Sequence, residues 1–231
     1  STKRTWDDLS VLSGFPEPFL SGKSTFYQRW SQTYAQQLIR EDIRNMTNIK
    51  HIDTVETLFS LLSSKVGSPL SMSSLAEDLQ TSFTSIRDWL EIFERFYLIF
   101  RLSPWTKKIS RAITKEKKLY LFDYAQIQNP AAKFENMVAF ELFRAIYSWN
   151  DLGLGKFDLF YIRNKEKEEV DFLITDKNIP KILIEVKSGE TDARRTLLKF
   201  QSQLNIPAVQ LINTENVCRL ITNDSQKLLI V

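Results

Sequence analysis

The sequence predicts an α/β protein in which a helical N-terminal region with a winged helix-turn-helix precedes a mixed sheet flanked by helices. Three observations predict it. Apolar residues recur at helical spacing through most of the first hundred positions. Two short apolar runs, 97–102 and 118–123, then flank a strongly basic segment. From about residue 131 to the end, runs of strand character alternate with helical ones. These patterns divide the 231 residues into an N-terminal helical segment (1–52), a winged-helix-like domain (53–125) and an α/β domain (126–231).

The elements follow in order. The stretch Ser13–Pro18 reads as a loop, because Pro16 and Pro18 oppose helix. From about Thr25, residues Phe26, Trp30, Tyr34, Leu38 and Ile43 recur near helical spacing. Helices are expected over about Thr54–Ser64, Ser73–Leu79 and Thr84–Phe96, with Ser71 or Ser73 able to cap the second. The short second helix, the turn at Gln80–Ser82 and the small Ala76 near the crossing suit a helix-turn-helix. Ser85 and Arg87 would then face DNA from the start of the third helix. An ordinary three-helix packing unit has the same periodicity. Strands at 97–102 and 118–123 would complete a winged helix.

The segment joining those strands carries the charge. Between Arg101 and Lys118 lie seven basic residues against the single Glu116. Lys107, Lys108 and Arg111 are its expected phosphate contacts. The plain alternative is a solvated loop. In the last hundred residues, a helix is expected over Ala131–Ser148 and strands near Phe157–Arg163, Glu168–Thr175 and Lys181–Lys187. A helix over Ala193–Leu204 and strands near Ala208–Ile212, Val217–Ile221 and Leu228–Val231 follow.

Composition excludes several chemistries. His51 is the only histidine, so a multi-histidine zinc site or a triad built on several histidines is ruled out. Cys218 is the only cysteine, so the chain has no internal disulfide; its place in a predicted strand suggests a small buried hydrophobe. No apolar run approaches the ~20 residues that span a membrane. The expected location is cytoplasmic. Gly22-Lys23-Ser24 imitates the end of a P-loop, but the glycine required five residues earlier is Glu17 and prolines occupy the place of the strand.

One acidic signature remains. Asp171 lies on one apolar-rich strand, and Glu185 and Lys187 lie on the next, two residues apart and so on one face. Glu135 lies on the preceding helix, and Gln201 and Gln203 lie on the following one. A hard cation such as Mg²⁺ takes carboxylate oxygens, so Asp171 and Glu185 could hold it with Glu135 assisting. Lys187 could act on water or phosphate. An ion pair between Lys187 and either carboxylate explains the same spacing, and spacing alone favours it.

The order of these residues resembles the PD-(D/E)XK nuclease-like superfamily. Nearly the whole chain resembles the C-terminal, domain-of-unknown-function region of bacterial and archaeal AAA-type ATPases. The matching landmarks are Gly14–Pro18, Trp30 with Tyr34, Arg40–Ile43, Leu75–Leu79, Ile86–Leu90, Lys118–Asp123, Phe134–Val138, Tyr161–Arg163, Glu169–Phe172 and Ile184–Lys187. The sequence departs from the pattern at Asp123–Ala125, where such proteins often place a glycine. The resemblance implies a restriction-endonuclease-like α/β domain with Glu135, Asp171, Glu185 and Lys187 as its catalytic set and Mg²⁺ as cofactor. It also implies an ATP-binding P-loop domain before this segment. The resulting expectation is a DNA-associated module of that ATPase, cleaving phosphodiester bonds or, alternatively, binding DNA or protein without cleavage. DNA and the ATPase domain are the expected partners, an oligomer is compatible with the sequence, and no membrane is expected.

Overall fold

The computed structural model describes residues 2–43, 51–106, 116–189, 192–223 and 226–231. It forms two compact units: Ser1–Arg101 with Leu119–Asn129, and Leu102–Lys118 with Pro130–Val231.

The first unit opens with helices α1 (Thr2–Leu12), α2 (Pro16–Ser21) and α3 (Ser24–Gln37), the last running into a π-helical segment, Leu38–Ile43. The loop expected at 13–18 is in part α2. Pro16 begins that helix, where a missing N–H leaves no bond unmade. Gly22, the glycine of the P-loop look-alike, is its left-handed C-cap at φ 63° and donates its N–H to the Phe19 carbonyl. Arg40 pairs with Glu56 at 2.5 Å, on helix α4 (Ile52–Leu62). The departure at Asp123–Ala125 is a short 3₁₀ turn, Tyr124–Gln126, with Ala125 buried. The Tyr27 hydroxyl donates to both oxygens of Asp123, at 3.0 and 3.2 Å. Burial, then the Asp123 charge, pushes the Tyr27 phenol well above its ordinary range.

Helices α5 (Met72–Asp78) and α6 (Phe83–Arg95) follow α4. Each is capped by a serine whose hydroxyl accepts a main-chain N–H three residues on: Ser71 from Ser74 and Ser82 from Ser85. Ile86, Trp89, Leu90 and Phe93 bury one stripe of α6. Strands β1 (Ile99–Leu102) and β2 (Lys118–Leu121) form a two-stranded sheet, and Val66 bridges to Leu119 beside it.

The second unit contains helix α7 (Pro130–Asp151), strands β3 (Phe157–Arg163), β4 (Glu169–Asp176) and β5 (Ile179–Lys187), helix α8 (Arg195–Leu204), and strands β6 (Ala208–Ile212), β7 (Arg219–Asn223) and β8 (Gln226–Ile230). The sheet order is β3-β4-β5-β6-β8-β7. The β3-β4-β5 meander is antiparallel, β5-β6 and β6-β8 are parallel, and β7 returns antiparallel to β8. This is the mixed sheet with flanking helices that the alternation predicts. Leu197 and Phe200 of α8 pack on Leu173, Leu183, Ala208 and Leu228, and α7 packs on β3 and β5.

One irregularity positions the acidic residues. Phe160 lies opposite Leu173 but Ile162 lies opposite Val170, so Asp171 and Phe172 together face the single Tyr161. That is a β-bulge, which turns side chains out of simple alternation. Cys218 corrects an expectation: it is exposed and lies just before β7. The strand that follows it is an edge strand of the sheet, with Leu220 and Ile221 also exposed.

Candidate functional site

The centre of the acidic site is a lysine. Lys118, first residue of β2, has a side chain only 1% exposed. Its ammonium lies 2.7 Å from Glu169, 3.2 Å from Asp171 and 3.4 Å from Glu135. The Tyr161 ring lies beneath it, with the centroid 5.7 Å away. The Tyr161 hydroxyl donates to the Glu116 carbonyl at 2.7 Å, and Arg163 approaches Glu169 at 3.7 Å. Burial alone would lower the Lys118 ammonium, but Glu135, Asp171 and Glu169 together outweigh it and hold its pKa above the ordinary value. Tyr161 is pushed up to about 12, first by burial and then by Glu169.

Glu185 anchors a second group. It is fully buried, and one of its oxygens meets Lys187 at 3.2 Å and also the Arg194 guanidinium. Its other oxygen accepts the Asp171 N–H at 3.4 Å, while Asp171 accepts the Val186 N–H at 3.0 Å. The two carboxylates are thus tied across β4 and β5 through main-chain donors. Burial, then the Asp171 charge, raises the Glu185 carboxyl above its usual range, against the opposing pull of Arg194 and Lys187. Buried Gln210 fixes Arg194 from behind: it accepts the Arg194 N–H and donates to the Asp192 carbonyl, at 3.0 and 2.8 Å.

The fold therefore gathers Glu135, Asp171, Glu185 and Lys187 into one region, in two linked clusters. Glu135 meets Asp171 through Lys118, and Lys187 serves Glu185. Magnesium demands near-ideal octahedral oxygen coordination. Here the oxygens of Asp171 are engaged by Lys118 and the Val186 N–H, and those of Glu185 by Arg194, Lys187 and the Asp171 N–H. Among the described residues, no cluster of three or more His, Cys, Asp or Glu side chains could hold a metal ion. A cation at Asp171 and Glu185 would compete with Lys118, Lys187 and Arg194 for these oxygens.

Gln201 does not join the site. It ties α8 to β8 by donating to the Lys227 carbonyl at 2.8 Å, and Gln203 is exposed. Two members of the basic run are also internal. Lys118 is the buried cation just described, and Arg101, with a side chain 6% exposed, pairs with Glu94 at 2.7 Å. On α6, Ser85 is half-buried at the capped N-terminus, and exposed Arg87 pairs with Asp88 at 2.8 Å. Lys107, Lys108 and Arg111 lie outside the described residues. The sequence reading missed Lys118, Glu169, Arg194 and Gln210. Glu169 carried a usable signal, two residues before Asp171 on the same strand; the others are brought in by long-range packing.

This chain belongs to the family described as Domain of unknown function (DUF8612), whose model matches residues 3–129. A second family model, Domain of unknown function (DUF4143), matches residues 131–227; it is known as a C-terminal region of AAA-type ATPases. No curated protein and no solved structure matches the chain.

Proposed function

We propose that this chain is a DNA-associated, non-cleaving module that regulates a P-loop ATPase domain of the same protein. The observation that carries the reading is the Lys118 ammonium among Glu135, Glu169 and Asp171. A nuclease needs those oxygens for a cation it can bind and use; here a covalently attached cation takes them. The order α7-β3-β4-β5-α8-β6, with Glu135, Asp171 and Glu185–Lys187 in sequence along it, supports a PD-(D/E)XK-like domain that keeps its acidic residues as an ion-pair network. Fold alone does not carry activity.

What remains to act is surface. The succession of α4, the Val66–Leu119 bridge, α5, α6 and the β1-β2 pair supports a winged helix-turn-helix. Thr84 and Arg87 are exposed on α6. Lys107, Lys108 and Arg111 stand in the sequence between β1 and β2, where a wing meets phosphates. The match of residues 131–227 to a region known from AAA-type ATPases supports the partner. Fluorescence anisotropy with a labelled duplex tests the reading: affinity falls steeply with salt and falls again when Lys107, Lys108 and Arg111 are neutralised. An absence of binding at low salt would sink it.

A Mg²⁺-dependent nuclease is the second reading. One observation favours it: Asp171 and Glu185 are buried side by side, with Lys187 on the same strand as Glu185. It predicts cleavage that Asp171→Ala and Lys187→Ala each abolish while duplex affinity persists. Cleavage unchanged in both variants would exclude this set.

A further inference from the structure

A cavity of about 590 Å³ lies in the second unit, and none of its lining residues belongs to the acidic site. Pro104 and Phe160 supply apolar walls, and Lys156, Lys177, Asp158 and Asn178 supply polar groups. Its volume falls within the ~300–1,000 Å³ of small-molecule clefts, which are mostly apolar with a few placed polar groups.

The two lysines are held side by side by the backbone. The Lys177 N–H donates to the Lys156 carbonyl at 2.8 Å, and the Lys156 N–H donates to Asp176 at 3.1 Å. Lys177 and Asn178 form the tight β4-β5 turn, both left-handed at φ 52° and 62°. Both lysines are exposed, and neither makes an ion pair among the described residues. Two lysines in one lining, joined through their backbones, offer two ammoniums to a group carrying more than one negative charge, such as a phosphate, with the Asp158 carboxylate in the same lining and Asp176 beside Lys156. Asp158 precedes Phe160 by two residues, so the two share one face of β3, and Lys156 stands just before the strand.

The occupant is a small molecule and not an added strand, because the free edge of β3 is closed at both ends. Tyr161 donates its N–H to the Ser103 carbonyl and accepts from the Trp105 N–H. Asn150 does the same for Phe157, accepting its N–H at 2.8 Å and donating to its carbonyl at 2.9 Å. Outward-pointing backbone groups alternate along a strand, so among the described residues only those of Leu159 stay open between the two clamps.

We propose that this cavity binds a nucleoside monophosphate. The planar base lies against Phe160 and Pro104, the phosphate meets Lys156 and Lys177, and Asp158 accepts from N–H donors on the base edge. A carboxylate selects a base that offers two adjacent donors, so guanine is favoured. The proposal stands apart from the DNA reading above, since none of its residues belongs to α5, α6 or the 107–111 segment.

Isothermal titration of the whole chain with GMP, guanosine and inorganic phosphate tests it. GMP gives saturable binding. Guanosine and inorganic phosphate each bind at least about tenfold more weakly, the loss expected when charge-assisted bonds or the base contact are removed. Lys156→Ala with Lys177→Ala, both at exposed positions, weakens GMP binding by about a hundredfold, and Phe160→Ala weakens it by about tenfold. Asp158→Asn reduces the preference for GMP over UMP. GMP without saturable heat, or GMP bound equally by the double-lysine variant, overturns the proposal. Inorganic phosphate bound as tightly as GMP overturns the nucleoside part of it. Duplex affinity measured on the same double-lysine variant separates this result from the DNA reading, which predicts little change.

Discussion

Lys118 carries the most consequence of any single residue. Its ammonium offsets three carboxylates in a buried setting, and breaking a buried ion pair by deleting one partner costs about 3–5 kcal/mol. Lys118→Met therefore lowers the unfolding free energy of the second unit by that order, read as a lower urea midpoint, and Lys118→Arg loses less. The pH signature has a defined sign. The folded pKa of Lys118 is raised, so its stabilisation is complete below the ordinary lysine value of about 10.4 and is lost only as pH rises through the folded value. Glu185 behaves oppositely to most carboxylates. Its folded pKa is raised by burial, so wild-type stability falls as pH rises from the ordinary value of about 4.3 through the folded one. Glu185→Gln removes that slope, which denaturation at a series of pH values between about 4 and 8 reads directly.

The elements differ in how far the sequence announced them. The long α7, the β3-β4-β5 meander and α8 follow from apolar periodicity, because each buries a continuous stripe. Helix α2 did not, because two prolines in six residues read as a breaker when one of them in fact starts the helix. Lys118 stands both at the end of the basic run and at the start of a strand, and nothing along the chain separates it from the charges before it. Leu119, Tyr120 and Leu121 after it are all buried, so no alternation marks which face the lysine takes. Arg194 and Gln210 stand 16 residues apart and meet only through packing. The acidic positions were legible because their order on helix and strands was informative; the cations that neutralise them were not. Two predictions belong to this scale. Ser82→Ala removes the α6 cap and costs about 1 kcal/mol in thermal unfolding of the first unit. Neutralising Lys107, Lys108 and Arg111 together reduces the slope of log affinity against log salt for duplex DNA by about three.

For the whole molecule, the two family matches fall on either side of residue 130. Among the described residues, no helix is long and apolar enough to cross a membrane. The proposed function places DNA contact on the α5-α6 helices and the basic residues after β1, with the acidic cluster of the second unit as an ion-pair network. The most direct test is one gel in which a labelled duplex is incubated with the protein in Mg²⁺ and read for both retardation and strand breaks. The expected result is a retarded, salt-sensitive and intact duplex. Strand breaks that disappear with Asp171→Ala, or a duplex that is never retarded at low salt, would contradict it.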